Sequence, residues 1–233
     1  LFEIGPIFFG KNPGEQQIVI GALRSGLIGR KGWLEKSRNV DVFDVKSDTI
    51  RTLIELGIDQ NDLCISNETK DCYHPGRSGA INLKSKKGPH LAYFGELHPG
   101  IIANLDFKEK NVYGLELFLK NIPKPNKKIR ISKENYIVSD FQKSERDFAF
   151  VIDKSYKAGN LENIIKKLDE NIIKQVTTFD VFEGQNIPEG KKSIAINVII
   201  QAIDKTLTEK DLDQVSQKII NTVQEKTGAT IRS

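Results

Sequence analysis

Four aliphatic residues at every second position, Ile194, Ile196, Val198 and Ile200, constrain this chain more than any other feature. Side chains alternate between faces in a strand, so these four share one face and leave Ser193, Asn197 and Gln201 on the other. A second apolar stretch, Thr178 to Phe182, precedes them across a loop holding Gly184, Pro188 and Gly190, residues that punctuate strands for backbone reasons. The pattern predicts two strands. In the first, Phe179 and Val181 take one face and leave Asp180 and Phe182 opposite. If the aliphatic faces are buried, the open face gathers a carboxylate, an aromatic ring and a hydroxyl, a small reading head for a flat polar ligand. The same pattern also fits an edge hairpin whose Phe182 is covered by another element.

The flanks extend the pattern. Phe148, Phe150 and Ile152 alternate in a strand, and Asn160 is placed to cap a helix striped by Leu161, Ile164, Ile165, Leu168 and Ile172. Thr208 with Asp211 three residues on resembles a capping box. It opens a helix striped by Leu212, Val215, Ile219, Ile220 and Val223 and stopped by Gly228, before a last strand, Ala229 to Arg232. The order βαββαβ is a ferredoxin-like unit with helices on one face of the sheet, and it sets a domain at 142–233. Residues 1–120 read differently. Candidate strands are Phe2 to Phe9, Gln17 to Leu23, Val40 to Asp44, Gly79 to Leu83, Leu91 to Leu97 and Val112 to Leu119. Two helices fit between them, Ser47 to Leu56 and Pro99 to about Leu105. Many strands with few helices predict an antiparallel α+β sheet. Between the two domains, 121–141 is a basic linker or strap carrying Pro123 and Pro125.

Several function classes are disfavoured. No apolar run approaches the roughly 20 residues of a membrane span, so no membrane partner is expected. The 233 residues include no Met and open Leu1-Phe2-Glu3, which reads as part of a longer polypeptide. Two cysteines, Cys64 and Cys72, suit a reducing compartment and supply too few ligands for structural zinc, even with His74 nearby. There is no phosphate loop ending in Lys-Ser/Thr, no Gly-x-Ser-x-Gly elbow and no aromatic RNA-recognition strand. The net charge of +4 is mild. The basic residues between Lys120 and Arg146 fit either phosphate contacts, with Lys124, Lys127 and Lys128 as candidates, or a solvated strap.

Short motifs spread along the whole chain carry a resemblance. They are Phe2-Glu3-Ile4-Gly5-Pro6-Ile7-Phe8, Gly32-Trp33, Val42-Phe43-Asp44-Val45-Lys46, His74-Pro75-Gly76-Arg77-Ser78 and Gly95-Glu96-Leu97-His98-Pro99. Arg146-Asp147, Thr178-Phe179-Asp180-Val181-Phe182, Gly190-Lys191-Lys192-Ser193, Thr206-Leu207-Thr208 and Ile231-Arg232 continue the series. In this order and spacing the chain resembles the C-terminal part of the beta subunits of bacterial phenylalanine–tRNA ligases. The resemblance implies that 1–120 is a class II synthetase catalytic-like domain without chemistry of its own. Class II sites hold ATP with arginines, whose planar forks bind phosphate oxygens bidentately. The motif 3-like corner Leu91 to Leu105 contains no arginine, and His98-Pro99-Gly100 stands there instead. In the family the alpha subunit attaches phenylalanine, with ATP and magnesium, in a cytoplasmic (αβ)2 heterotetramer. Editing and magnesium-linked domains would lie upstream of Leu1.

The resemblance further implies that 142–233 is an anticodon-binding domain for tRNA-Phe, whose anticodon starts with guanine. By motif position Asp180 would accept from the guanine donor edge, Phe182 would stack and Ser193 would add a hydroxyl contact. The family often has Tyr where Phe182 stands, so stacking is kept and a phenol hydrogen bond is lost. Two rival readings are an enzyme with its own adenylating site, and a ferredoxin-like module for small regulatory ligands or for RNA in general.

Overall fold

A computed structural model describes residues 1–29, 33, 37–105, 107–109, 111–124 and 138–232. The chain divides into two compact units, Leu1–Ile131 and Ser132–Ser233. Among the described residues no helix is long and apolar enough to cross a membrane.

The first unit is built on a six-stranded antiparallel sheet. Its strands are β1 (Phe2–Phe8), β2 (Gln16–Ser25), β5 (Leu63–Ser66), β6 (Tyr73–Leu83), β7 (His90–Leu97) and β8 (Val112–Phe118), in the spatial order β1-β2-β8-β7-β6-β5. Two short strands, β3 (Leu27–Ile28) and β4 (Arg38–Asn39), pair separately. One helix, α1 (Val42–Glu55), covers one face. Its Val45 and Leu53 pack with Ile81, Leu91, Phe94, Leu115 and Leu117 in a common core. A second helix, α2 (Pro99–Ala103), follows β7 with Pro99 in its first turn.

Two expectations change here. The segment Val40 to Asp44, expected as a strand, opens α1 instead. The carboxylate of Asp41 accepts from the backbone N–H groups of Phe43 and Asp44, and Asp44 returns a bond from the N–H of Asp41 at 2.8 Å. That reciprocal cap satisfies donors a helix start leaves orphaned, and it moves the start well ahead of Ser47. Strand β5 was not expected at all, because Leu63–Ser66 is too short to display a period.

In the second unit β9 (Ser144–Asp153), α3 (Ala158–Lys166), β10 (Ile173–Phe182), β11 (Lys191–Ile200), α4 (Glu209–Thr227) and β12 (Thr230–Ile231) follow in the expected βαββαβ order. The sheet runs β10-β11-β9-β12, with every pairing antiparallel. Ile194, Ile196, Val198 and Ile200 are all buried, with Phe150, Ile152, Leu161, Ile165, Leu212, Ile219 and Val223 around them. The Thr208–Asp211 capping box forms, and Gly228 ends α4 at φ 68°, a left-handed value that costs glycine little. The start of α3 differs from expectation: its N-cap is Lys157, with no side-chain bond, and Asn160 lies inside the helix. The helix stops at Lys166, so Leu168 and Ile172 pack on the core from the following turn. Of the linker residues, Lys124 is exposed, while Lys127 and Lys128 lie outside the described residues.

Candidate nucleic-acid interface

Both helices of the second unit contribute to the core on one face of its sheet, so the opposite face is left to bind. Register decides which side chains occupy it. Phe182 is opposite Ser193, which is opposite Val151, which is opposite Thr230. In the next row Asp180 is opposite Ala195, and Ala195 is opposite Ala149, whose carbonyl accepts the backbone N–H of Arg232 at 2.7 Å. A third row holds Thr177, Asn197 and Asp147, with the Asn197 amide donating to the Asp147 carboxylate at 2.8 Å. Asp180 and Phe182 therefore share the face opposite Ile194 and Ile196, as the alternation predicts.

The partner expected for Val181 does not hold. Thr178 is opposite Ile196 and Asp180 is opposite Ala195, so Phe179 is the extra residue of a β-bulge. It is 59% exposed and contributes no core face with Val181. The bulge breaks the ladder at Thr178, and the Glu162 carboxylate of α3 accepts its backbone N–H at 2.8 Å. Asp180 follows directly and has no hydrogen-bond or ion-pair partner among the described residues.

Phe182 has two close neighbours. The guanidinium of Arg232 lies 5.5 Å from its ring centroid, within cation–π range. Gly184 approaches the ring so closely that an added Cβ would stand 2.9 Å from its Cζ. The loop beyond is tied down by an ion pair of Glu183 with Lys154 at 2.5 Å. Gly190 at φ 78° lets the chain re-enter β11.

Ser193 lies on the predicted face but is only 3% exposed. It sits between Phe182 and Val151 in its row, and Arg232 reaches across toward Phe182. At that burial its hydroxyl meets a ligand only after its neighbours shift. Sequence alternation places Ser193 but does not reveal how deeply it is buried. Arg232, Asn197 and Asp147 were not among the expected site residues. The signal for Asn197 was its place on the face of Gln201, and for Arg232 its place in the last strand.

The arrangement is a sheet face that gathers the Asp180 carboxylate, the Phe182 ring and the Arg232 guanidinium, with the small side chains of Ala195 and Ala149 in the row of Asp180. Such a surface can take a planar heterocycle by stacking while a carboxylate accepts from its edge.

Comparison with known proteins agrees with this reading. Residues 139–232 match the family described as ferredoxin-fold anticodon binding domain, and residues 1–119 match the phenylalanyl tRNA synthetase beta chain CLM domain. A phenylalanine–tRNA ligase beta subunit from Paramagnetospirillum magneticum is 38% identical over 232 residues, and one from Bartonella quintana 39% over 236. One from Cereibacter sphaeroides is 40% identical over 237 residues. Each comparison covers all of this chain and 29% of the relative's length, so the chain spans about three tenths of these relatives. With both units matched in order, the chain belongs to the phenylalanyl-tRNA synthetase beta chain family, as its CLM domain followed by its ferredoxin-fold anticodon-binding domain.

Proposed function

We propose that this chain is the tRNA-reading and assembly part of a phenylalanine–tRNA ligase beta subunit, working in an (αβ)2 heterotetramer in the cytoplasm. In this reading residues 1–120 are a class II catalytic-like domain that serves assembly, 121–141 a linker, and 142–233 the anticodon reader. Asp180 accepts from the N1–H and N2–H of the first anticodon base of tRNA-Phe, Phe182 stacks on it, and Ser193 joins once its neighbours have shifted. Lys124, Lys127 and Lys128 neutralise phosphates. The observation that carries the reading is the Asp180 carboxylate, without a partner among the described residues, on the same sheet face as the Phe182 ring.

Attachment of phenylalanine, with ATP and magnesium, belongs in this proposal to the alpha subunit. The residues here fit a nucleotide triphosphate poorly. The strand bearing Glu3 and the end of β7 at Leu97 border one cavity, and its ionised side chains are the carboxylates of Glu3 and Glu116. Arg77, close in sequence to that strand end's partner, already clamps Glu96 through two guanidinium nitrogens. Co-purification tests the proposal: the chain, extended to its full polypeptide, should bring down an alpha chain and select tRNA-Phe from total tRNA. Recovery of tRNA without preference, and of no second chain, would leave only a general RNA-binding module.

A further inference from the structure

We propose that the second unit carries, on the helix side of its sheet, a binding site for a small branched aliphatic carboxylate. A cavity of about 220 Å³ opens between α4 and the turn that follows α3. The aliphatic stripe of α3 runs on in the sequence to Ile172, but the helix stops at Lys166. The chain then turns at Asp169, whose carbonyl accepts the backbone N–H groups of Ile172 and Ile173. The cavity lies where the helix gives way to this turn. From α4, Asp211, Gln214, Val215, Lys218 and Ile219 recur at helical spacing, so they share the face toward it. Ile173 and Ile219 are buried in its lining, and Leu168, Ile172, Leu207 and Val215 are half-buried there. No aromatic ring lines it. Ordinary ligand sites run to roughly 300–1,000 Å³, so the occupant is a short aliphatic body.

Hydrogen-bond capacity in the lining selects the head group. Lys205 reaches Asp211 at 3.5 Å and Lys218 reaches the Leu168 carbonyl at 3.4 Å, both at the outer limit of a bond. An ammonium has three donors, so each lysine keeps most of its capacity unused. The Gln214 amide has no side-chain partner among the described residues. The carboxylates of the lining are better occupied. Asp211 accepts the Thr208 backbone N–H at 2.9 Å and the Thr208 hydroxyl at 2.8 Å. Asp169 accepts the Asn171 N–H at 3.2 Å. The spare capacity is thus chiefly that of donors, two of them cationic, and a carboxylate meets them with charge-assisted bonds. An amine would face two ammonium groups. Asp169 keeps one oxygen open, so an α-ammonium on the ligand is the one competing feature.

Isocaproate, isohexanol and isohexylamine share one branched tail and differ in head group, and leucine adds an α-ammonium to isocaproate. Titrated into the 233-residue chain and followed by ligand-observed NMR, isocaproate should bind saturably and isohexanol about tenfold more weakly. Leucine should bind more weakly than isocaproate, and isohexylamine not at all. Lys205→Gln and Lys218→Gln, at exposed positions, should each weaken isocaproate at least about fivefold with thermal unfolding unchanged. Val215→Phe fills the cavity and should abolish binding. Isohexylamine binding as well as isocaproate, leucine binding more tightly than isocaproate, isocaproate binding that survives both lysine substitutions, or no saturation up to about 20 mM would each overturn the proposal. If Val215→Phe fails to fold, the lysine variants and the head-group series decide without it.

Discussion

Gly184→Ala is the perturbation that separates the ring's support from everything else on the reading face. The added Cβ would lie 2.9 Å from Cζ of Phe182, where carbon atoms prefer about 3.5–4.0 Å. The ring must therefore shift by roughly 0.6–1 Å, which disturbs its contact with the Arg232 guanidinium. Moving it off its rotamer costs about 0.5–1.5 kcal/mol, and loosening the Arg232 contact about 0.5–1. The core residues Ile194 and Ile196 lie on the opposite face and are untouched. Together these costs should lower the unfolding temperature by about 4–20 °C for a domain of this size. Binding should suffer more, because a displaced ring forfeits much of a stack worth about 1–3 kcal/mol per base. The assay is fluorescence titration of anticodon stem–loops carrying each of the four bases at the first anticodon position. All four should weaken alike, since stacking does not read the base edge. Unchanged affinity in a folded Gly184→Ala protein would refute the stacking role of Phe182, and selective loss of guanine would mean that Gly184 supports Asp180 instead.

Other outcomes follow from the same structure. Ile196→Ala removes a fully buried side chain from the centre of the second core and should cost about 2–5 kcal/mol in denaturant unfolding, with tRNA selectivity retained in the folded fraction. Asp44 is held at about 2, below its ordinary 3.8, chiefly by the Arg38 guanidinium. Between these values the unfolded chain binds the extra proton, so this stabilisation is whole above about pH 4 and is lost as pH falls toward 2. Because Arg38 is more than half exposed the effect is small, about 1 kcal/mol or less, and Asp44→Asn should flatten the acid limb of unfolding monitored in the first unit. Replacing Lys124, Lys127 and Lys128 together by Ala should weaken all tRNAs equally and reduce the salt slope of binding by about 2. An unchanged slope would make that run a solvated strap.

The alternation of β11 was readable because a strand with one buried face repeats every two residues, and nothing local interrupts Ile194 to Ile200. The same logic failed at Phe179, since a bulge is a property of two strands and leaves no mark in one. Val40 to Asp44 misled for a related reason. A short run of apolar and acidic residues fits either period, and the Asp41–Asp44 cap settled it. Asp180 and Phe182 were placed by their own strand, whereas Arg232 reaches Phe182 from the far end of the fold. That contact depends on β12 pairing with β9, a contact between distant segments that periodicity does not encode. The cavity beside α4 was equally invisible, because the stripe of α3 runs on to Ile172 while the helix itself stops at Lys166.

The central claim is that Asp180 reads an edge. Binding of guanine and non-guanine anticodon stem–loops to the wild-type chain and to Asp180→Ala tests it most directly. The side chain is exposed and has no partner among the described residues, so the fold should be unchanged by circular dichroism. Guanine should lose about 1–3 kcal/mol, the value of a good bidentate base contact, and the other bases far less. Equal loss for all four bases, or an unfolded Asp180→Ala domain, would make Asp180 a structural residue of the hairpin and contradict the account.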